Sequence, residues 1–238
     1  MRNDRTVFGV NMADGRIKGY PIVDPRSRAD KVFSVKLVRG NPLYGQNRFE
    51  DNDDGTVDDL ATGLMWAKDD SWQAMNWEEA LAWVQQLNEE KHLGYSDWKL
   101  PDAKELQSIL DYSRSPQATG SAAIDPVFEI STIEDEGGEE NFPCFWSSTT
   151  HLNANGWGSS AVYTCFGEAL GFMRSPGSAE PVLMDVHGAG AQRSDPKTGD
   201  VADYPRGHGP QGDVVRISHH ARLVRGAPSP AGSSPGAR

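Results

Sequence analysis

The stretch HARLVRG, residues 220–226, decides the fold, because SVKLVRG at residues 34–40 closes on the same four letters. Four letters are weak alone, so their surroundings matter. Ahead of the first copy, TVFGVNMADGRIKGYP (6–21) reads as a β-hairpin. Val7, Phe8, Val10 and Met12 favour a strand, Ala13-Asp14-Gly15 a turn, and Ile17 and Tyr20 a second strand. A polar loop, VDPRSRAD, leads to KVFSVKLVRG, where Val32, Ser34, Lys36 and Val38 alternate with Phe33, Val35 and Leu37 as in a third strand. Ahead of the second copy, AVYTCFGEALGFM (161–173) sets Val162-Tyr163-Thr164-Cys165 in the place of Val7-Phe8-Gly9-Val10, with Leu170 for Ile17. DVVRISHHARLVRG (213–226) is then the closing strand. The same β-meander is written twice.

What lies between is written once. FEDNDDGTVDDLATGLMWAKD (49–69) predicts a hairpin, with turns at Asp54-Gly55 and Thr62-Gly63. NWEEALAWVQQLNEE predicts a helix capped by Asn76 and closed by Glu79 as a capping box, with Ala80, Leu81, Val84 and Leu87 along one stripe. SDWKLP is a short strand, Asp102 caps a second helix with Glu105 at its third position, and FWSSTT is a strand after an acidic loop (129–141). This order is α+β, two helices on a twisted antiparallel sheet with long loops. The expected division is a meander fragment of a preceding repeat (1–40), a complete domain (41–226) with a loop insertion at about 175–212, and a disordered Pro/Ser/Gly tail (227–238). The chain then begins inside a tandem array, with neighbouring repeats as partners.

Charge narrows the partners. The net charge is -11, but residues 1–40 hold nine Lys/Arg against four Asp/Glu, whereas residues 41–180 hold seven against 25. An acidic body repels polyanions, so nucleic acid is excluded as a partner. No apolar run reaches the ~18 residues of a membrane span, and MRNDRTVFGV lacks the apolar centre of a signal peptide.

Six motifs in order, DNDDGTVDDLATGLMW, EALAW, LGYSDWKLPDAKELQSILDY, IDPVF, FWSSTT and ARLVRG, resemble the bacterial domain of unknown function also found at the C-terminus of the Legionella collagen-like adhesin, the Lcl C-terminal domain. The resemblance spans about residues 46–226, and residues 6–40 match its final third again. It implies a C-type-lectin-like fold and an extracellular, cell-surface or periplasmic location. For the adhesin it implies binding to sulfated glycans, which the acidic body here disfavours. The function expected is a non-catalytic recognition module for a glycan or surface protein. The alternatives are an enzyme of the formylglycine-generating type, which shares the broad fold and uses a cysteine pair with copper, and a purely structural repeat.

Candidate residues follow from chemistry. EDNDDGTVDD (50–59) imitates an EF-hand loop, but Ala61 stands where the bidentate acid should be, so a hairpin turn is expected. The Glu-Pro-Asn and Trp-Asn-Asp triplets of calcium-dependent lectins do not occur. EDEGGEENF (134–142) packs five carboxylates into seven residues, as a solvated loop or a cation holder. The insertion, too rich in Gly and Pro for strand or helix, gathers Asp185, Asp195, Asp200 and Asp203 as oxygen ligands for calcium. His187, Arg193 and His208 from the same loop, with Trp157 in NANGWGS, are the expected ligand-binding residues. His219 and His220, adjacent on a strand, should face opposite ways, one half-buried and one exposed. Trp146 reads as core. Cys144 and Cys165 lie on consecutive strands; a cross-strand disulfide closing about 20 residues, two free core thiols and a reactive copper-binding pair all remain open.

Overall fold

A computed structural model describes residues 6–13, 15–24, 26–40, 45–153, 155–174 and 180–227. Asp14 of the first turn, residues 41–44 at the expected domain start, 175–179 at the start of the insertion and 228–238 of the expected tail lie outside them.

The first hairpin forms as its sequence requires: β1 (Thr6–Val10) pairs antiparallel with β2 (Ile17–Pro21). The third strand expected at KVFSVKLVRG does not form. Residues 31–40 pair with no strand, and Leu37 and Val38 are 94% and 91% exposed. Alternation makes a segment able to be a strand; a partner edge makes it one.

The next strands, β3 (Phe49–Asp51), β4 (Thr56–Asp59) and β5 (Leu64–Asp70), form two tight antiparallel turns. Gly55 and Gly63 occupy them at φ 89° and 74°, where any other residue would be strained. EDNDDGTVDD is therefore a hairpin, with the Asp54 carboxylate turned onto Thr56 N–H and Oγ. Helix α1 (Trp77–Glu89) and helix α2 (Ala103–Ser108) carry the expected capping boxes, Asn76 with Glu79 and Asp102 with Glu105. SDWKLP contributes only a single bridge, Lys99 to Val224. A third short helix, α3 (Pro116–Thr119), starts on Ser115 with proline in its first turn. The acidic loop folds into a small hairpin of β6 (Ile133–Glu134) and β7 (Glu140–Asn141), with Asp135 accepting from Gly137 and Glu139 N–H.

The remaining strands are β8 (Cys144–His151), β9 (Ser160–Cys165), β10 (Leu170–Met173), β11 (Val182–Asp185), β12 (Gln192–Pro196) and β13 (Arg222–Gly226). The principal sheets run β1-β2-β12-β9-β8 and β13-β5-β4-β3. The insertion is thus not all loop. β10 and β11 form a side ribbon, and β12 returns to pair with β9 over five residues. Gly188 and Gly190 fall between β11 and β12, Pro196 only closes β12, and β9 offers an edge that β12 satisfies.

The registers also correct the alignment of the two meanders. Pro21 opposes Thr6, and Pro196 opposes Ser160. Aligning these two prolines makes β12, not Leu170, the counterpart of β2, moves Val7 from Val162 to Ala161, and sets Ile17 with Gln192. These two residues are themselves registered partners, because β2 and β12 pair antiparallel. The two hairpins thus meet antiparallel through one registered pair.

Two cores share the middle strands. Met65, Ala80, Val84, Trp98, Trp146, Tyr163 and Leu223 fill one. Val57, Trp66, Leu106, Ile109, Phe128, Phe145, Phe166 and Val224 fill the other. The period of two along β13 sends Leu223 into the first and Val224 into the second, so one short strand seals both. Each buried side chain contributes about 1.5–3 kcal/mol by transfer from water. Arg222 beside them is fully buried, donating to the carbonyls of Ala67, Lys68 and Glu129 between the rings of Phe128 and Phe145. Burial lowers its pKa to about 10.

Residues 213–221 do not extend β13. They pass inside the molecule, bridging Met75 through His219 and Phe145 through His220. Both histidines are therefore buried, at 2% and 7% exposure, rather than one in and one out. Cys144 and Cys165, registered partners on β8 and β9, form a disulfide. They present no thiol pair for copper.

Candidate functional site

A cleft of about 840 Å³ opens where β8, β9 and β12 end. Strand geometry places its floor. Ser194 on β12 and His151 on β8 flank the intervening β9, and His151 Nδ1 lies 2.6 Å from Ser194 Oγ. Lys197, just past β12, lies over the Trp77 ring at 4.1 Å and donates to Thr150 Oγ at 2.9 Å. Asn153 and Gly158, from the β8–β9 loop, form one wall; Tyr204 and His208, from the loop after β12, form the other. Arg16, just ahead of β2, reaches the same cleft from the first hairpin.

A charged cluster reaches the cleft through Arg193, Asp195 and Asp213. Arg193 pairs with the Asp213 carboxylate, whose other oxygen is 2.7 Å from His187 Nε2. Arg193 already balances Asp213, and burial penalises a further charge. Both hold His187 neutral, its pKa pushed down to about 3. Nε2 is then the protonated nitrogen and donates to Asp213. Asp195 is likewise buried, accepting from Arg216 N–H at 3.0 Å and facing His219 Nε2 at 2.9 Å. His219 stacks on Tyr163, and burial lowers its pKa despite that carboxylate.

The expected ligand-binding residues therefore separate. Arg193 and His208 line the cleft, while His187 is buried one layer behind. Trp157 is not among the cleft-lining residues; it is 71% exposed in the β8–β9 loop, on a turn in which Asn153 accepts from its N–H. The expected calcium ligands do not converge. Asp185 accepts from the N–H groups of Ala169, His187 and Gly188, Asp195 lies in the core, and Asp200 caps the short turn Val201–Asp203. Among the described residues no three His, Cys, Asp or Glu side chains are grouped to hold a metal ion.

Sequence reading missed His151, Ser194, Lys197, Tyr204 and Arg16 as cleft residues. A signal existed for three of them. Gly15 to Pro21 and Gly190 to Pro196 share their spacing, which marks Gln192–Pro196 as a strand and sets Arg16, Ser194 and Lys197 on or beside paired strands. The aromatic wall had no local signature.

Comparison with protein-family models places the chain in the Lcl C-terminal domain family, which it matches over residues 55–179. The chain belongs to that family. No curated protein and no solved structure matches it. The matched region includes β5, both capped helices, the disulfide strands and the β8–β9 wall of the cleft. The disulfide is consistent with an extracytoplasmic location. Among the described residues no helix is long and apolar enough to cross a membrane.

Proposed function

We propose that the protein is a non-catalytic recognition module of C-type-lectin-like architecture, working at the cell surface or in the periplasm, and that it binds a glycan in the cleft between β8, β12 and the loop of Tyr204. One observation carries the reading: a single concave surface combines aromatic rings with side-chain donors and acceptors. Tyr204 and Trp77 offer rings within the cleft to the apolar face of a sugar, Trp157 offers one from the neighbouring β8–β9 loop, and His151, Asn153 and Ser194 offer partners to its hydroxyls. Such a mixture suits a polar ligand that also has apolar faces. The rigid sheet beneath supplies pre-organisation, which limits the ordering cost of binding.

A glycan array probed with the intact chain tests this. A discrete set of saccharides should bind, and Trp157→Ala with Tyr204→Ala should weaken each by about tenfold or more, ~1.4 kcal/mol. These side chains lie in loops, so the variants should keep the parent melting temperature. No saccharide above background, or binding indifferent to both substitutions, overturns the glycan reading. Capture of a protein partner by the same cleft would replace it.

A further inference from the structure

The first meander carries two unsatisfied faces, and the second shows what covers each. β13 in the complete copy is held by β5, with Val224 opposite Trp66 and Arg225 opposite Met65. Its counterpart at residues 36–40 has the same apolar pair, fully exposed. In the complete copy β9 is covered on its outer side by β8, Ala161 opposite Thr150 and Ser160 opposite His151. Among the described residues its counterpart β1 ends the sheet, with Val7, Phe8 and Val10 exposed at 41%, 38% and 56%. Unpaired strand edges with apolar side chains are templates for a further strand.

We propose that residues 6–40 are the closing part of a second domain of this family, and that the occupant of both faces is that domain's opening segment. That segment would carry the hairpin, helices and β8-type strand written here at residues 46–159. Its β5-type strand would pair with residues 36–40, and its β8-type strand would lie on the outer edge of β1. Charge is compatible: residues 1–40 are basic, and the segment written here at residues 46–159, which the occupant would resemble, is acidic.

The joint between the two domains is already present. β2 pairs with β12, Gly19 N–H donates to His187 O at 3.0 Å, Lys18 Nζ to Gln211 Oε1 at 2.8 Å, and Gln192 Nε2 to Gly15 O at 3.2 Å. Phe8 packs edge-on against Tyr112 at 4.8 Å. Adding a β8-type strand to β1 yields one sheet crossing both domains, symmetric about the Ile17–Gln192 pair. Neighbouring domains would thereby be fixed in orientation rather than strung on a flexible tether.

The test keeps the whole chain and places a copy of residues 46–159 in front of Met1, with Cys144→Val in that copy because the first meander has no cysteine. Joining the copy at Met1 adds five residues to the connection that leads into β1, at small entropic cost. Hydrogen exchange of the Leu37 and Val38 amides should slow by about 100-fold or more relative to the unextended chain, as in other strand amides. Leu37→Asp should lower the melting temperature of the extended chain and leave the unextended chain unchanged. Unchanged exchange in the extended chain overturns the proposal. So does an added segment that stays unfolded, or a Leu37→Asp effect equal in the two chains.

Discussion

Leu-Val-Arg-Gly occurs at 37–40 and at 223–226, with opposite fates. Leu223 and Val224 are 1% and 0% exposed, each in a different core; Leu37 and Val38 lie almost wholly in water. Local propensity is the same in both places, so the difference comes entirely from tertiary context. β5 stands beside the second copy, and among the described residues no strand stands beside the first. A strand's stability resides largely in the edge and core that receive it, which single-sequence patterning does not register.

Substitutions should break this equivalence most visibly at the buried site. Leu223→Ala is expected to cost about 2–5 kcal/mol, the range for a buried leucine, measured by urea unfolding. Leu37→Ala should stay within about 0.5 kcal/mol, as for other surface changes. The flanking cations extend the comparison. Arg222→Ala removes a donor from the Ala67, Lys68 and Glu129 carbonyls, of which Lys68 O keeps the Glu129 N–H, and should cost about 3 kcal/mol or more, whereas Lys36→Ala should be near neutral.

Reducing the Cys144–Cys165 disulfide should remove about 3 kcal/mol, from loop entropy alone. The bond ties β9, in the second meander, to β8 ahead of it. A melting temperature unaffected by reductant would show that β8 and β9 hold without the bond.

A smaller effect sharpens the contrast through pH. All six histidines lie beyond residue 40, so histidine-linked instability belongs to that part of the chain. His187, His219 and His220 are held neutral by burial, with pKa values below the ordinary one and His187 at about 3. The unfolded chain protonates them near pH 6.5, so it binds more protons below that pH. Stability is then full above about 6.5 and falls as the pH drops toward 3. The slope is up to about 1.4 kcal/mol per pH unit for each histidine. His187→Gln should flatten the urea-midpoint profile between pH 6 and 4; an unchanged slope would mean that His187 carries a proton in the fold.

Much of the fold was legible because its signals are local. Asn76 with Glu79, Asp102 with Glu105, and the turns at Gly55 and Gly63 each declare themselves within a few residues. The errors arose where distant partners decide. Residues 31–40 alternate like a strand but have no edge to join. Residues 192–196 looked like loop, yet β9 recruits them. His220 enters the core because residues 213–221 pass between two sheets. The candidate site was only half legible for the same reason. Arg193 and His208 stood out by chemistry, but the side chains joining them come from three separate segments, and their convergence depends on the β2–β12–β9–β8 strand order.

The most direct measurement is amide hydrogen exchange on the intact chain, comparing Val224 with Val38. Val224 N–H donates to Lys99 O at 3.0 Å inside the closed domain and should open only with global unfolding. Val38 should exchange at the rate of an unstructured peptide. Comparable protection at the two valines would contradict the account, by showing that the first copy had found a partner strand of its own.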